Sequence, residues 1–201
     1  HVQRLGADVL YLNPIHLAYT NHKYDAFDYH AVSPEFGTRD DVKALARDVH
    51  ARGMKIVLDG VFNHMGRNAP IFQQALADPK SRWRDWFYIG PQYQSGARVW
   101  WLAENLPELN LENPKVRAHV WGAKDSVVRR YLRDGIDGWR LDVAVDIGFE
   151  HLQALTRAAH ADPTPTAAPA QTAPTPYTPG APPPSATPYG TYPAQGAPQQ
   201  A

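Results

Sequence analysis

Three short apolar runs alternate with segments of helical periodicity, and this alternation restricts the fold more than any other feature of the sequence. The runs are ADVLYLN (7–13), KIVLDGVFNH (55–64) and DGIDGWRLDVAVD (134–146). Buried strands that alternate with helices form βαβ units, in which the strands are parallel and their carboxyl ends share one edge of the sheet. The sequence therefore predicts an α/β fold with polar residues gathered at that edge.

Helix start and stop signals lie between and after these runs. Residues 14–32 carry no such helix signals. They are rich in aromatic residues, histidine and aspartate, which is typical of a binding loop. The predicted segments are a loop over 14–32, a helix over 40–52 that Thr38 caps with Asp41 at its third position and Gly53 ends, an unbroken helix over 114–134 that begins at Asn113 and Pro114 and ends at Gly135, and a last helix over about 148–160.

The composition changes abruptly after Asp162. Every charged residue lies at or before this position, and residues 163–201 hold 12 of the 19 prolines. A segment with so little to bury is predicted to be a disordered Pro/Ala/Thr-rich tail. The fold is therefore expected within residues 1–162, while a natural tail and a junction artefact both remain open as its origin.

Bulk properties exclude several classes of partner. The formal net charge is zero and the pI is about 7.3, so nothing indicates binding to nucleic acid or to a membrane surface. The chain contains no cysteine and no run of about 20 apolar residues that could cross a bilayer. It opens at His1 without a signal-like segment, which predicts a cytoplasmic protein whose own N-terminus is absent. The oligomeric state does not follow from the sequence.

The third run carries an arginine and an aspartate two positions apart. Alternate side chains of a strand share a face, so Arg140 and Asp142 are predicted to point one way and Trp139, Leu141 and Val143 the other. A strand with one apolar and one charged face fits the wall of a parallel barrel that ends in a polar mouth. The strand alone leaves two interpretations open, a catalytic pair and an ion pair that only closes the barrel.

Four motifs in order resemble those of the α-amylase family of glycoside hydrolases and transglycosidases. They are GADVLYLNP (6–14), DGVFNH (59–64), LPELN (106–110) and GWRLDVAVD (138–146), with HKYDAFDY between the first two. Their form is most similar to the neopullulanase, cyclomaltodextrinase and maltodextrin glucosidase branch. The resemblance implies a partial (β/α)8 TIM barrel over residues 1–162, covering about strands 2 to 4, with an inserted loop subdomain at about 65–112.

The resemblance also implies roles for individual residues. Retaining cleavage of a glycoside needs one carboxylate that attacks the anomeric carbon and a second, protonated carboxyl about 5–5.5 Å away. Asp142 matches the family's nucleophile, and a cation beside it favours its ionised form. The other matches are Arg140 as the partner of Asp142, His64 and Tyr24 as ligands of the sugar at the cleavage point, Asp25 as a neighbouring binding or structural acid, Asp59 as the residue that orients His64 and Arg140, and Asn63 as a supporting residue.

No cofactor is predicted, and calcium, which Asn63 binds in some relatives, is left unassigned. The aromatic residues Trp83, Trp86, Phe87, Tyr88, Trp100 and Trp101 within 65–112 fit either an outer sugar subsite or the core of the insert. Val145 and Asp146 differ from the Asn-Glu pair common in neopullulanases, which leaves the specificity for the acceptor sugar open.

The family's acid/base glutamate has no match, because no glutamate follows Glu150. We therefore expect the chain by itself to be inactive. A partial barrel also leaves its edge strands without hydrogen-bonded neighbours, so we expect the chain to be poorly stable. The expected function is retaining cleavage of α-1,4-linked maltodextrin or cyclodextrin through a glycosyl-Asp142 intermediate. Two alternatives remain open: an enzyme of the same family that acts on sucrose, trehalose or isomaltose, and a non-catalytic glucan-binding module.

Overall fold

The computed structural model describes residues 1–161. The predicted tail at 163–201 lies outside the described residues. The elements follow in this order: a 3₁₀ turn at Val2–Leu5, β1 at Val9–Leu12, β2 at His16–Ala18, β3 at Ala26–Val32, a 3₁₀ turn at Pro34–Phe36, α1 at Arg39–His50, β4 at Lys55–Gly60, α2 at Pro70–Ala77, a 3₁₀ turn at Arg84–Trp86, α3 at Pro114–Arg117, a π-helical turn at Ala118–Gly122, α4 at Val127–Asp134, β5 at Gly138–Leu141, α5 at Ala144–Ile147 and α6 at Phe149–His160.

The three apolar runs form one parallel sheet with the order β1-β4-β5. Leu12 pairs with Leu58, and Asp59 pairs with Arg140. The prediction of parallel strands with polar carboxyl ends at one edge is confirmed. The register matters for the site, because it sets Asp59 and Arg140 side by side at that edge.

Helix α1 begins and ends close to where its sequence signals place it. The Thr38 side chain accepts a hydrogen bond from the Asp41 amide, and the Asp41 carboxylate accepts one from the Thr38 amide in return. This capping box satisfies donors that the first turn would otherwise leave unpaired. Gly53 follows the helix with a φ of 70°, a conformation that a residue without a Cβ adopts without strain.

The predicted binding loop at 14–32 contains an antiparallel hairpin, so that prediction was incomplete. Strands β2 and β3 pair with irregular register, which weakens the alternation that a sequence pattern relies on. Polar or ring-bearing residues occupy the buried face: His16 and Tyr29 are almost fully buried. Residue types that are typical of loops therefore concealed a folded hairpin.

The predicted unbroken helix over 114–134 was wrong. The structure has α3, then a π-helical turn, then a break before α4 begins at Val127. Gly122 ends the π-helical turn, and glycine is a poor helix former. Ser126, a residue type that favours helix starts, is the N-cap residue of α4. The predicted end at Gly135 is confirmed, with a φ of 112°.

A hydrophobic cluster joins the sheet, the helices and the segment 65–112. Ile56 and Leu58 of β4 lie in the same cluster as Phe72 and Phe87 of that segment. Trp139 covers part of the cluster from β5, with its ring 5.3 Å from that of Phe62. Within the described residues, no helix is long and apolar enough to span a bilayer.

His16 is buried among aromatic rings on the inner side of the hairpin. Its ring lies 5.7 Å from that of Tyr29 and 5.4 Å from that of Tyr131. Neither ring nitrogen has a hydrogen-bond partner among the described residues. Burial lowers the pKa of His16 to about 4, against the opposing charge of Asp28. Burial also lowers the pKa of His119, to about 4, beside His30.

Acidification from about pH 7.5 to about pH 5 is expected to destabilise the chain, because these histidines stay neutral when folded and bind protons when unfolded. Their pKa values are depressed in the folded state, so the loss begins as the pH falls through the unfolded value of about 6.5. With a folded pKa of about 4, His16 alone contributes about 2 kcal/mol of this loss at about pH 5.

Urea unfolding followed by circular dichroism at the two pH values measures the effect. The variant His16→Leu should show a smaller difference between them, whereas the exposed His22→Gln should keep the difference of the unmodified chain. An unchanged difference in His16→Leu would show that this histidine is not the cause.

Candidate active site

Strands β4 and β5 bring two carboxylates onto one guanidinium. The Nη1 atom of Arg140 donates to Oδ1 of Asp142 over 2.7 Å and to both carboxylate oxygens of Asp59 over 3.1 Å each. Arg140 and Asp142 therefore lie on the same side of the strand, as the alternation of side chains predicts. The hydrogen bonds to the two carboxylates raise the pKa of Arg140 although partial burial opposes this, so the guanidinium keeps its charge.

Asp59 is the hub of this cluster. Its side chain is fully buried, with 0% exposed, while that of Arg140 is 46% exposed. Its Oδ2 atom also accepts the Tyr24 hydroxyl over 3.0 Å and the Tyr11 hydroxyl. Burial raises the pKa of both tyrosines, and the hydrogen bond to the Asp59 carboxylate raises it further. Both phenols therefore remain protonated donors.

The chain turns sharply just after Asp142. The Asp142 amide continues the parallel ladder by donating to the Gly60 carbonyl over 3.1 Å. The next residue, Val143, has a φ of 41°, which is strained for a β-branched side chain. Such strain is common where a side chain is held at a functional position, and here it directs the chain away from the Asp142 carboxylate at the end of the sheet.

His64 lies four residues beyond the end of β4 and is 1% exposed. The Tyr29 hydroxyl donates to its backbone carbonyl over 2.5 Å, and the Trp100 ring stacks on its imidazole with 5.6 Å between centroids. Its Nε2 atom has no hydrogen-bond partner among the described residues. Burial lowers the pKa of His64, although the Asp142 charge and the Tyr24 backbone oppose this, which favours a neutral imidazole near pH 7.

The predicted contact between Asp59 and His64 is absent from the described residues, where Asp59 accepts hydrogen bonds from Arg140 and the two tyrosines instead.

The Asp25 carboxylate bonds to the backbone of its own loop, because it accepts the Thr20 amide over 3.1 and 3.2 Å. This bond closes the turn between β2 and β3 next to Tyr24. Asp25 thus holds the segment that carries Tyr24.

Gly66 packs the segment after β4 tightly against the hairpin. Its amide donates to the Ala26 carbonyl over 2.8 Å. A Cβ atom at this position would lie 2.3 Å from the Asp25 carbonyl oxygen. This distance is too short for two non-bonded atoms, so the backbone would have to move. Glycine is therefore required where the two segments meet, and the sequence motifs gave no sign of it.

Sequence reasoning missed Tyr11 as a site residue, because it lies in an apolar run and counted as a strand residue. The available signal was alternation: Leu10 and Leu12 face the core, which sends Tyr11 to the other side with Asp59. The contact of Trp100 with Asp146, in which the indole Nε1 donates over 3.0 Å, was also missed. The two residues are 46 positions apart, and no local pattern joins them.

The aromatic cluster of the insert divides between the two interpretations. Trp86 and Phe87 are buried and belong to the core. Trp100 lies against His64, and Trp101 is 86% exposed with a φ of 54°. The core interpretation therefore holds for Trp86 and Phe87, while Trp100 contacts His64 and Asp146 instead.

Asn63 faces its neighbour rather than a set of metal ligands. Its Nδ2 atom lies 3.4 Å from the Nδ1 atom of His64, and its backbone carbonyl accepts the Leu109 amide over 2.9 Å. Residues 1–161 contain no group of three His, Asp or Glu side chains arranged to hold a metal ion.

A parallel α/β sheet with charged residues at the carboxyl ends of its strands is the arrangement of the active face of (β/α)-barrel enzymes. The family description "Alpha amylase, catalytic domain" matches residues 1–175. The chain belongs to this family, and its described residues form part of a barrel.

Relatives in this family are similar along most of the chain. A cyclomaltodextrinase of Bacillus sp is 37% identical over 168 residues, which are 78% of this chain and 29% of the relative. Neopullulanase 2 of Thermoactinomyces vulgaris is 36% identical over 157 residues, 73% of this chain and 26% of the relative. The ligand-free structure of the cyclic alpha-maltosyl-(1→6)-maltose hydrolase from Arthrobacter globiformis has a TM-score of 0.74 and 36% identity, covering 80% of this chain and 37% of that one. The chain thus spans well under half the length of each.

Asp59→Ala is expected to lower the free energy of unfolding by about 3 kcal/mol, because Tyr11, Tyr24 and Arg140 lose their shared acceptor. Asp142→Ala removes one bond to a half-exposed guanidinium and should cost less than about 1 kcal/mol. Urea unfolding near neutral pH measures both losses. Asp59→Asn keeps the volume and one acceptor, so its loss should fall between the two. Equal losses for Asp59→Ala and Asp142→Ala would contradict the assignment of Asp59 as the hub.

Proposed function

We propose that this chain is part of a retaining α-glucan hydrolase in which Asp142 is the nucleophile. The observation that carries the proposal is the contact of Arg140 with Asp142 over 2.7 Å at the carboxyl edge of the sheet. A guanidinium at this distance donates a charge-assisted hydrogen bond that fixes one of the carboxylate oxygens. The other oxygen is left to attack.

The reaction proceeds in two steps. The Asp142 carboxylate attacks the anomeric carbon and forms a glycosyl ester, while a protonated carboxyl donates its proton to the departing sugar oxygen. Water then attacks the anomeric carbon of this glycosyl ester, the same carboxyl takes the proton from this water, and Asp142 is released as a carboxylate. Two inversions at the carbon give net retention of configuration.

The remaining residues bind and orient the sugar in this proposal. The Tyr24 ring stacks on a glucose face, which suits the apolar side of a pyranose, and the Asp59 bond to its hydroxyl keeps the ring in place. His64, neutral and without a partner for Nε2 among the described residues, provides a hydrogen bond to a sugar hydroxyl. Asp25 acts through the turn that carries Tyr24, and Asn63 supports His64.

The names of the relatives favour an α-glucan substrate. Two relatives are named as a cyclomaltodextrinase and a maltogenic alpha-amylase, and the Arthrobacter enzyme is named for a cyclic maltosyl-maltose. A relative of Bacillus subtilis, 37% identical over 150 residues, is named as an intracellular maltogenic amylase, which supports a cytoplasmic location. A full-length protein containing these residues, assayed on maltodextrin, sucrose, trehalose and isomaltose, separates the substrate classes.

The 201-residue chain should show no turnover of maltodextrin above background, because no glutamate follows Glu150 to serve as the acid/base. Release of reducing sugar over several hours measures this. Turnover well above background would mean that another carboxyl in the chain performs the proton transfer, and would overturn the proposed division of roles.

Binding tests the proposal without turnover. Maltotriose, titrated into the ¹⁵N-labelled chain, should shift signals of Tyr24, His64 and Trp100. Tyr24→Ala should weaken the binding on the order of 10-fold because a stacked ring is lost, whereas Tyr24→Phe keeps the ring and should bind within about 3-fold of the unmodified chain. Tyr19→Ala, at a residue that is 72% exposed and outside the cluster, is the control. Equal affinity for Tyr24→Ala and Tyr19→Ala would remove Tyr24 from the site.

A further inference from the structure

The histidine assigned to the sugar is covered in the ligand-free chain. His64 is 1% exposed, so a sugar hydroxyl cannot reach either of its ring nitrogens without a movement of the protein. A buried polar atom without a partner is costly unless something satisfies it in another state. The inference below rests on the proposed role of His64 in binding an α-glucan.

The residue that covers the imidazole is Trp100. Its ring lies nearly parallel to that of His64, with 28° between the planes and 5.6 Å between centroids. Trp100 begins a compact loop, residues 100–106, whose ends meet because the Trp100 amide donates to the Leu106 carbonyl over 2.9 Å. The far part of this loop is anchored, because the Arg67 amide donates to the Asn105 carbonyl over 2.8 Å. Uncovering His64 therefore requires a movement of the Trp100 side chain and not of the whole loop.

A single side-chain bond ties Trp100 to the turn that follows the nucleophile. The indole Nε1 donates to Oδ2 of Asp146 over 3.0 Å, and both atoms lie at the surface. An exposed hydrogen bond is weak because water competes for both partners. The adjacent Trp101 adds little to hold the Trp100 ring in place, since its own ring is 86% exposed and its φ of 54° is strained.

We propose that Trp100 controls access of an α-glucan to His64: its ring covers the imidazole in the free chain, Asp146 holds the ring there, and the ring moves aside when the glucan binds. The closed form reduces the apparent affinity in proportion to the fraction of molecules that are open. Trp100 and Asp146 thus determine how readily a sugar reaches His64, and neither residue contacts the reacting atoms.

Weakening the bond should therefore strengthen binding, which is the opposite of the effect expected for a residue that contacts the sugar. Asp146→Ala should lower the dissociation constant for maltotriose by about 5-fold. Trp100→Phe keeps a ring over His64 but lacks the N–H group, and should have an effect of the same size. The double variant should show no further gain, because each change breaks the same bond. Asp48→Ala, on the exposed side of α1, is the control and should bind as the unmodified chain does.

A measurement without sugar separates this inference from the proposed function. The ¹H–¹⁵N spectrum of the free chain contains a Trp100 indole signal, assigned as the one that Trp100→Phe removes. In Asp146→Ala this signal should move toward that of a solvated indole, and the His64 ring signals should lose the shift caused by the stacked indole. If both stay unchanged, Asp146 does not hold Trp100 and the inference fails. If they move but no variant binds maltotriose, the proposed function fails and the closed contact stands.

Discussion

The contact between the buried carboxylate of Asp59 and the guanidinium of Arg140 depends on the alignment of two neighbouring strands. The register of β4 with β5 sets Asp59 opposite Arg140, and a slip of one residue would turn the arginine to the apolar face, where Trp139 now packs. Such a slip would leave a fully buried carboxylate without its cation, which is strongly unfavourable. The ion pair therefore selects the register, and the register positions Asp142.

An arginine suits this position better than a lysine. A single guanidinium nitrogen, Nη1, reaches Asp142 and both oxygens of Asp59, while the rest of the planar group remains in contact with water. A lysine would present a compact, strongly hydrated ammonium that loses more solvation in the same place. The two tyrosine hydroxyls complete the shell of Asp59, so the cluster gathers donors from β1, from the segment before β3 and from β5.

The features that sequence reasoning found are those fixed by short-range patterns. The parallel strands follow from apolar runs, the start of α1 from the spacing of Thr38 and Asp41, and the shared face of Arg140 and Asp142 from the alternation of a strand. The hairpin was concealed because its buried face carries His16 and Tyr29. The helix over 114–134 is interrupted between Gly122 and Ser126, whose weak helix propensity is outweighed in a sequence pattern by the apolar residues on either side. Tyr11 with Asp59 and Trp100 with Asp146 lie 48 and 46 positions apart, and only the folded chain brings them together.

The close packing at Gly66 limits how this surface can be altered. The hairpin rests on the segment after β4 at a point where a methyl group would strike the Asp25 carbonyl. A side chain there would push the hairpin outward as a body and draw the Tyr24 hydroxyl away from its acceptor. Trp101 and Val145, which are largely exposed, can therefore vary more freely than Gly66, where the Asp25 carbonyl leaves room for a hydrogen atom and not for a methyl group.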